Sequence, residues 1–177
     1  MKQIRIVNII ASGKIRGNFD IEKIAKKLTN VQYEPEIFPG LILRNTEFNY
    51  TTILFYSGKI SSHGCKSISQ AKKAIMDTII KIKSLNCIIG NDEIMTIKIE
   101  NIVGVGSYEK IIDISKLKNI LGEQAYIIKI YYLIYRSYNN SIVCLIFKSG
   151  KIIIMGANNC ATLLNVYNNI TNKIKSI

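Results

Sequence analysis

Tryptophan is absent, proline occurs twice and histidine once in these 177 residues. With one histidine, no paired carboxylates at suggestive spacing, no P-loop and no G-x-S-x-G, there is no catalytic set to assemble. The pair Gly104-Val105-Gly106 lacks the third glycine and the following helix pattern of a dinucleotide fingerprint. Cys65, Cys87, Cys144 and Cys160 lie far apart and form no C-x-x-C, which argues against a zinc site or redox pair and for a reduced compartment. Residues Met1 to Ile10 lack the apolar core of a signal peptide, and no run approaches the ~20 apolar residues of a membrane span. The expectation is a soluble intracellular protein with no catalytic residue, metal or cofactor.

Acidic residues are also scarce. Twelve stand against 24 Lys and Arg, for a formal charge of +12. Residues 1–90 hold 14 basic and 6 acidic side chains, and residues 91–177 hold 10 and 6, so both halves are basic. Such a surplus suits a polyanionic partner, because neutralised phosphates release counterions; it also suits simple solubility of an apolar chain. What is abundant is Ile and Tyr within a 48% hydrophobic composition, which favours strands packed on a real core with a basic solvated skin.

The chain repeats itself. Leu54-Phe55-Tyr56-Ser57-Gly58-Lys59-Ile60 recurs as Ile146-Phe147-Lys148-Ser149-Gly150-Lys151-Ile152 at a shift of 92, which also carries Arg44 to Arg136 and Gly64 to Gly156. Val7-Asn8-Ile9-Ile10 matches Glu100-Asn101-Ile102-Val103, and Asp20-Ile21 matches Asp113-Ile114, at a shift of 93, so one inserted residue reconciles the registers. A long shift seen twice fits a duplicated domain better than a solenoid of units ~20–50 residues long. The halves are read as 1–90 and 91–177.

Each half reads as strand, helix, several strands, helix. Ile4 to Ile10 is β-rich, and Ile21, Ile24, Ala25 and Leu28 form a helical stripe after Asp20. Ile42 to Arg44, Thr51 to Tyr56 and Lys59 to Ser62 read as strands, with Ser57-Gly58 as a hairpin turn. Ser67-x-x-Gln70 is a capping box opening a helix whose stripe of Ile68, Ala71, Ile75, Ile79 and Ile82 faces a sheet, with Lys72, Lys73, Lys81 and Lys83 mainly outward. An antiparallel sheet covered by helices on one side leaves the other side free.

At Tyr33-Glu34-Pro35-Glu36-Ile37-Phe38-Pro39-Gly40-Leu41-Ile42-Leu43-Arg44 the sequence resembles the TATA-binding protein family, especially its archaeal members. Phe55-x-Ser57-Gly58-Lys59, Gly64-x-Lys66-Ser67, Ile6-Val7-Asn8-Ile9 and the duplication extend the likeness over the whole chain, closely in the first half and loosely in the second. The resemblance implies an α+β saddle, in which two pseudo-symmetric repeats form one curved antiparallel sheet with helices on the convex face. It implies a general transcription initiation factor that binds the minor groove of A·T-rich promoter DNA and bends it to nucleate a preinitiation complex; the family is itself a standing example of minor-groove wedge insertion.

By the same resemblance, Phe38 and Phe55 are the first wedge pair and Ile130 and Phe147 the second, one aromatic having been replaced by an aliphatic side chain that loses stacking on the exposed base. A shallower or more easily reversed kink is expected there. Asn8 and Asn101 match the central pair, whose amide NH₂ groups reach the A N3 and T O2 acceptors of A·T pairs. Ile10, Ile53, Val103, Leu145 and Ile153 map to apolar groove-facing positions. Ser61 and His63 stand where the family commonly has Val and Thr, and Met155 is the counterpart of His63. A protonated His63 would add attraction to the groove, against the plainer reading that it is tolerated at the sheet edge. Arg44, Lys59, Arg136 and Lys151 map to phosphate contacts, which position without specifying, while Asn49, Ser141 and Asn158 replace other basic positions of the family.

The partners implied are double-stranded promoter DNA, a transcription factor B-type protein and the RNA polymerase machinery, with a weak homodimer in addition and no membrane. The family's acidic segment before the second wedge is here Tyr126-Ile127-Ile128-Lys129, and only Glu34 and Glu36 in the first half keep its acidity. Almost no extension precedes the first strand, which suits an archaeal cytoplasm, or a nucleus or viral factory for a eukaryotic or viral version. Two other classes stand beside this reading: an accessory domain of a nuclease or glycosylase, disfavoured by the missing catalytic set, and a diverged paralogue acting mainly as a protein-interaction platform.

Overall fold

The computed structural model describes residues 2–128, 131–137 and 141–177. Two compact units emerge: a first unit of Asn8–Glu100, and a second made of Met1–Val7 with Asn101–Ile177. Strand β1 (Lys2–Ile15) opens in the second unit and ends in the first, and β8 (Ile94–Ser107) does the reverse.

In the first unit the order in sequence after β1 is β2 (Asn18–Phe19), α1 (Ile21–Lys27), β3 (Val31–Glu34), β4 (Phe38–Asn45), β5 (Tyr50–Leu54), β6 (Lys59–Cys65), α2 (Ile68–Ser84) and β7 (Ile88–Ile89). Its antiparallel sheet runs β3-β4-β5-β6-β1, with β2 and β7 pairing separately. The second unit repeats the plan with α3 (Ile114–Leu121), β9 (Ala125–Ile128), β10 (Tyr132–Arg136), β11 (Val143–Phe147), β12 (Lys151–Ala157) and α4 (Cys160–Lys175), in a sheet ordered β8-β12-β11-β10-β9.

The helix starts follow from their caps. Asp20 and Asp113 take the N–H groups of Lys23 and Lys116, satisfying first-turn donors that have no intrahelical partner. Ser67 Oγ accepts from the Gln70 N–H, but the Gln70 side chain accepts from the Lys66 N–H rather than from that of Ser67. The reciprocal half of the box has therefore shifted one residue outward, beside a Ser67 in extended conformation.

One side of each sheet is sealed. In the first unit Leu41, Leu43, Leu54, Ile60, Ile9, Ala11 and Ile15 are buried, as is the stripe of Ala71, Ala74, Ile75, Ile79 and Ile82 on α2, which packs on β5 and β6. The expected stripe holds, except that Ile68 is only half-buried, and Lys72, Lys73, Lys81 and Lys83 are exposed. Two buried polar pairs sit inside: Thr52 and Thr78 hydroxyls lie 3.3 Å apart, and Ser62 Oγ donates to the Ala71 carbonyl at 3.0 Å. In the second unit Ile102, Leu133, Cys144, Ile146, Ile152 and Ile154 are buried, as are Leu163, Tyr167, Ile170 and Ile174 of α4, which packs on β12. The Gly104-Val105-Gly106 pair is explained by this packing, since a Cβ at Gly106 would fall 2.3 Å from the Tyr167 ring. Burial also pushes the Cys144 thiol up to about 12, so it packs as a small apolar group.

Two α2 substitutions test this orientation. Ile75→Ala, at a fully buried site, should cost ~2–5 kcal/mol in urea unfolding. Ile80→Ala, 61% exposed on the same helix, should change stability by less than ~0.5 kcal/mol.

Candidate nucleic-acid interface

Pleating sends alternate residues to the side of each sheet that no helix covers. In the first unit the pairings Ile42↔Ile53↔Ser61↔Ser12 form one row across that side, and Arg44↔Thr51↔His63 form the next. In the second unit the corresponding rows are Ile134↔Leu145↔Ile153↔Val105 and Arg136↔Val143↔Met155. The two units match position by position at the shift found in the sequence. Apart from the exposed Arg44, the residues of these rows are half-buried.

Beside these rows each sheet carries the same defect. Between Ile9↔Cys65 and Ala11↔Ser62, the two residues His63 and Gly64 oppose the single residue Ile10. Between Gly104↔Ile154 and Ile102↔Ala157, Met155 and Gly156 oppose Val103. Both bulge glycines have positive φ, 85° at Gly64 and 99° at Gly156, a region that costs other residues strain. Their N–H groups donate to Asn8 Oδ1 at 2.8 Å and to Asn101 Oδ1 at 2.7 Å. A backbone N–H requires an acceptor, so each amide is oriented with its oxygen on the bulge and its NH₂ pointing the other way.

At one end of the first unit, Phe38 and Phe55 pack edge to face with ring centroids 5.8 Å apart at 72°. Phe38 remains 37% exposed. Gly40 makes this possible, because a Cβ there would lie 2.6 Å from Phe38 Cε1 and 2.8 Å from Ile53 Cγ2. In the second unit Phe147 stacks on Tyr132 at 5.4 Å and 29°, and Lys151 Nζ lies 5.9 Å from the Phe147 centroid. The expected partner Ile130 lies outside the described residues, as does Lys129.

Of the basic positions, Arg44, Lys59 and Lys151 are exposed, and Arg136 is half-buried with its Nε donating to the Tyr126 hydroxyl. Asn49, Ser141 and Asn158 are exposed. Tyr126, Ile127 and Ile128 belong to β9 and are exposed. Sequence reasoning missed Ser12, Ile42, Thr51, Val105, Ile134 and Val143, which fill out the rows. The signal was available in the strand alternation once the pairing register was known.

The repeated strand-and-helix plan has a counterpart in known proteins. A family model described as transcription factor TFIID (or TATA-binding protein, TBP) matches residues 3–85 and again 96–177. The chain belongs to the TATA-binding protein family.

The TATA-box-binding protein of Methanocaldococcus jannaschii is 37% identical over 158 residues, covering 87% of this chain and 84% of that one. That of Methanococcus aeolicus is 32% identical over 180 residues, covering 99% and 96%. The solved structure titled Methanococcus jannaschii TBP superimposes with a TM-score of 0.85 at 32% identity over 99% of both chains. The chain is thus a transcription factor of that family and not an enzyme, with the family's α+β antiparallel-sheet fold. Among the described residues no helix is long and apolar enough to cross a membrane, and no group of three or more His, Cys, Asp or Glu is placed to hold a metal.

His63 lies on the helix-free side with Nε2 2.9 Å from Ser61 Oγ, and burial lowers its pKa below the ordinary 6.5. Burial therefore works against a positive charge on the ring. Below pH 6.5 the unfolded chain takes up a proton that the folded chain resists, so this group's contribution to stability falls as pH drops from 6.5 toward the folded pKa. Melting curves between pH 7.5 and 5 should show a smaller loss of Tm in His63→Gln than in the wild type.

Proposed function

We propose that the chain binds the minor groove of A·T-rich (TATA) promoter DNA through the helix-free sides of its two repeats, 1–90 and 91–177, bends it, and so nucleates preinitiation complex assembly. The observation that carries this reading is the repeated Asn–bulge unit. Asn8 and Asn101 each spend their oxygen on a glycine N–H, leaving amide donors for a groove whose A·T edges offer only acceptors.

Around those donors, Ile10, Ile53, Val103, Leu145 and Ile153, with Ser61, His63 and Met155, supply a surface that excludes water and reads groove shape. A projecting guanine N2 amino group would crowd it. Phe38 and Phe55 act as wedges at one end and Phe147 at the other, together with Ile130 as the resemblance implies. Unstacking costs a few kcal/mol per step, offset by apolar burial and phosphate contacts. Arg44, Lys59, Arg136 and Lys151 make those contacts, and the +12 charge adds long-range attraction.

A transcription factor B-type protein and RNA polymerase then assemble on the bent complex. The exposed, non-acidic Tyr126, Ile127 and Ile128 call for a partner surface without the basic complement that an acidic segment would need, and a weak homodimer is the idle state.

Gel shifts against a TATA duplex and its G·C-substituted counterpart test the reading, with bend angle measured with and without a B-type factor. Preference for the TATA duplex with a bend is expected; equal affinity without bending would leave a protein-interaction platform instead. Asn8→Asp retains an acceptor for Gly64 N–H but replaces the donors with a charge, and should weaken binding at least ~10-fold, or about 1.4 kcal/mol. Phe38→Ala and Phe55→Ala should reduce the bend more than the stability.

A further inference from the structure

Tyr132 occupies, at the shift of 92, the place of Gly40. In the first unit that place is bare, and the Phe38 ring fills the space above it, 2.6 Å from where a Cβ would be. The aromatic partner of Phe55 is thus delivered from two residues earlier in β4 and laid over a glycine. In the second unit the same space belongs to a residue with its own ring. Tyr132 pairs directly with Phe147 in the β10–β11 register, so both side chains leave the same side of the sheet. Its ring stacks on Phe147 at 5.4 Å, as Phe38 meets Phe55 at 5.8 Å.

We infer that Tyr132 supplies the aromatic wedge partner of Phe147 at the second end, so that the ring missing from position 130 has been replaced from within β10. This rests on the DNA-bending reading above and concerns which residue does the work. The replacement is not identical: the rings stack at 29° rather than meeting edge to face at 72°. A flat stacked pair offers a base one broad ring face, and a phenol adds a hydroxyl that phenylalanine lacks. A base stacked on such a ring gains ~1–3 kcal/mol, which an aliphatic side chain alone does not provide. The second end then kinks DNA by aromatic insertion after all, against the expectation of a weakened kink drawn from Ile130.

The test uses the full chain and a TATA duplex carrying a donor and acceptor dye at its ends, with bend angle read by energy transfer and affinity by titration. Tyr132→Phe should bend DNA as the wild type does. Tyr132→Ala should lower affinity about tenfold or more, within the range that ~1–3 kcal/mol of stacking allows, and should reduce the bend as much as Phe147→Ala. Adding Phe147→Ala to Tyr132→Ala should cost little more, since both belong to one wedge, while adding Phe55→Ala should cost its full separate amount. Tyr132→Leu keeps apolar volume on the strand, and circular dichroism with a melting curve establishes that it is folded. A folded Tyr132→Leu that bends and binds like the wild type overturns the inference while leaving the bending reading intact. A wild type that shows no bend overturns both.

Discussion

Backbone pleating sends successive side chains to opposite sides of a strand, and in both units a helix covers only one of those sides. Everything distinctive about the molecule follows from that asymmetry. The covered side takes Leu41, Leu54, Ile60 and their counterparts Leu133, Ile146 and Ile152, and this is where the apolar burial that stabilises each unit is concentrated. The other side is left with Ile, Leu, Val and Met side chains that only their row neighbours shield. Apolar surface in this state gains ~25 cal/mol for each Å² that a partner removes from water, so the same arrangement that makes a stable sheet also leaves a surface suited to a broad, shallow ligand.

Specific chemistry enters where the regular pattern breaks. A sheet of unbroken ladders would turn every backbone N–H toward its neighbouring strand. The two-against-one bulges at His63-Gly64 and Met155-Gly156 free one N–H in each unit, and Asn8 and Asn101 capture it. The glycines are needed because the bulge backbone lies at positive φ. That this whole device occurs twice, with distances of 2.8 and 2.7 Å, fits a donor placed once per repeat better than an accident of strand packing.

The repeats have diverged where geometry permits it. The first keeps Gly40 under the Phe38 ring, while the second carries Tyr132 in the same place and stacks it on Phe147. The phosphate-contact candidates diverge too: Arg44 is exposed, whereas Arg136 is held by the Tyr126 hydroxyl. A charge anchored by a neighbour is better oriented and less free to move, so under the proposed function the second repeat would hold a phosphate more rigidly at that point. The acidic pair Glu34 and Glu36 is likewise confined to the first repeat, and a partner docking on that segment meets two different surfaces.

The duplication, the strand and helix order, the helix stripes and the family likeness were all legible in the residue pattern, because periodicity and short motifs are properties of the chain itself. So was the pairing of Asn8 with Asn101 and of Phe55 with Phe147. The chain alone could not say what the asparagine oxygens bind, since Asn8 and Gly64 are 56 residues apart and meet only when β1 and β6 adopt their register. Nor could it show that Tyr132 fills the space of a missing ring, since reading residue 130 by alignment compares positions along the chain, whereas the ring's location depends on which side of which strand it leaves. Local pattern determined the elements and the sides they bury; the register of strands far apart in sequence decided which side chains share the uncovered face and what each one touches there.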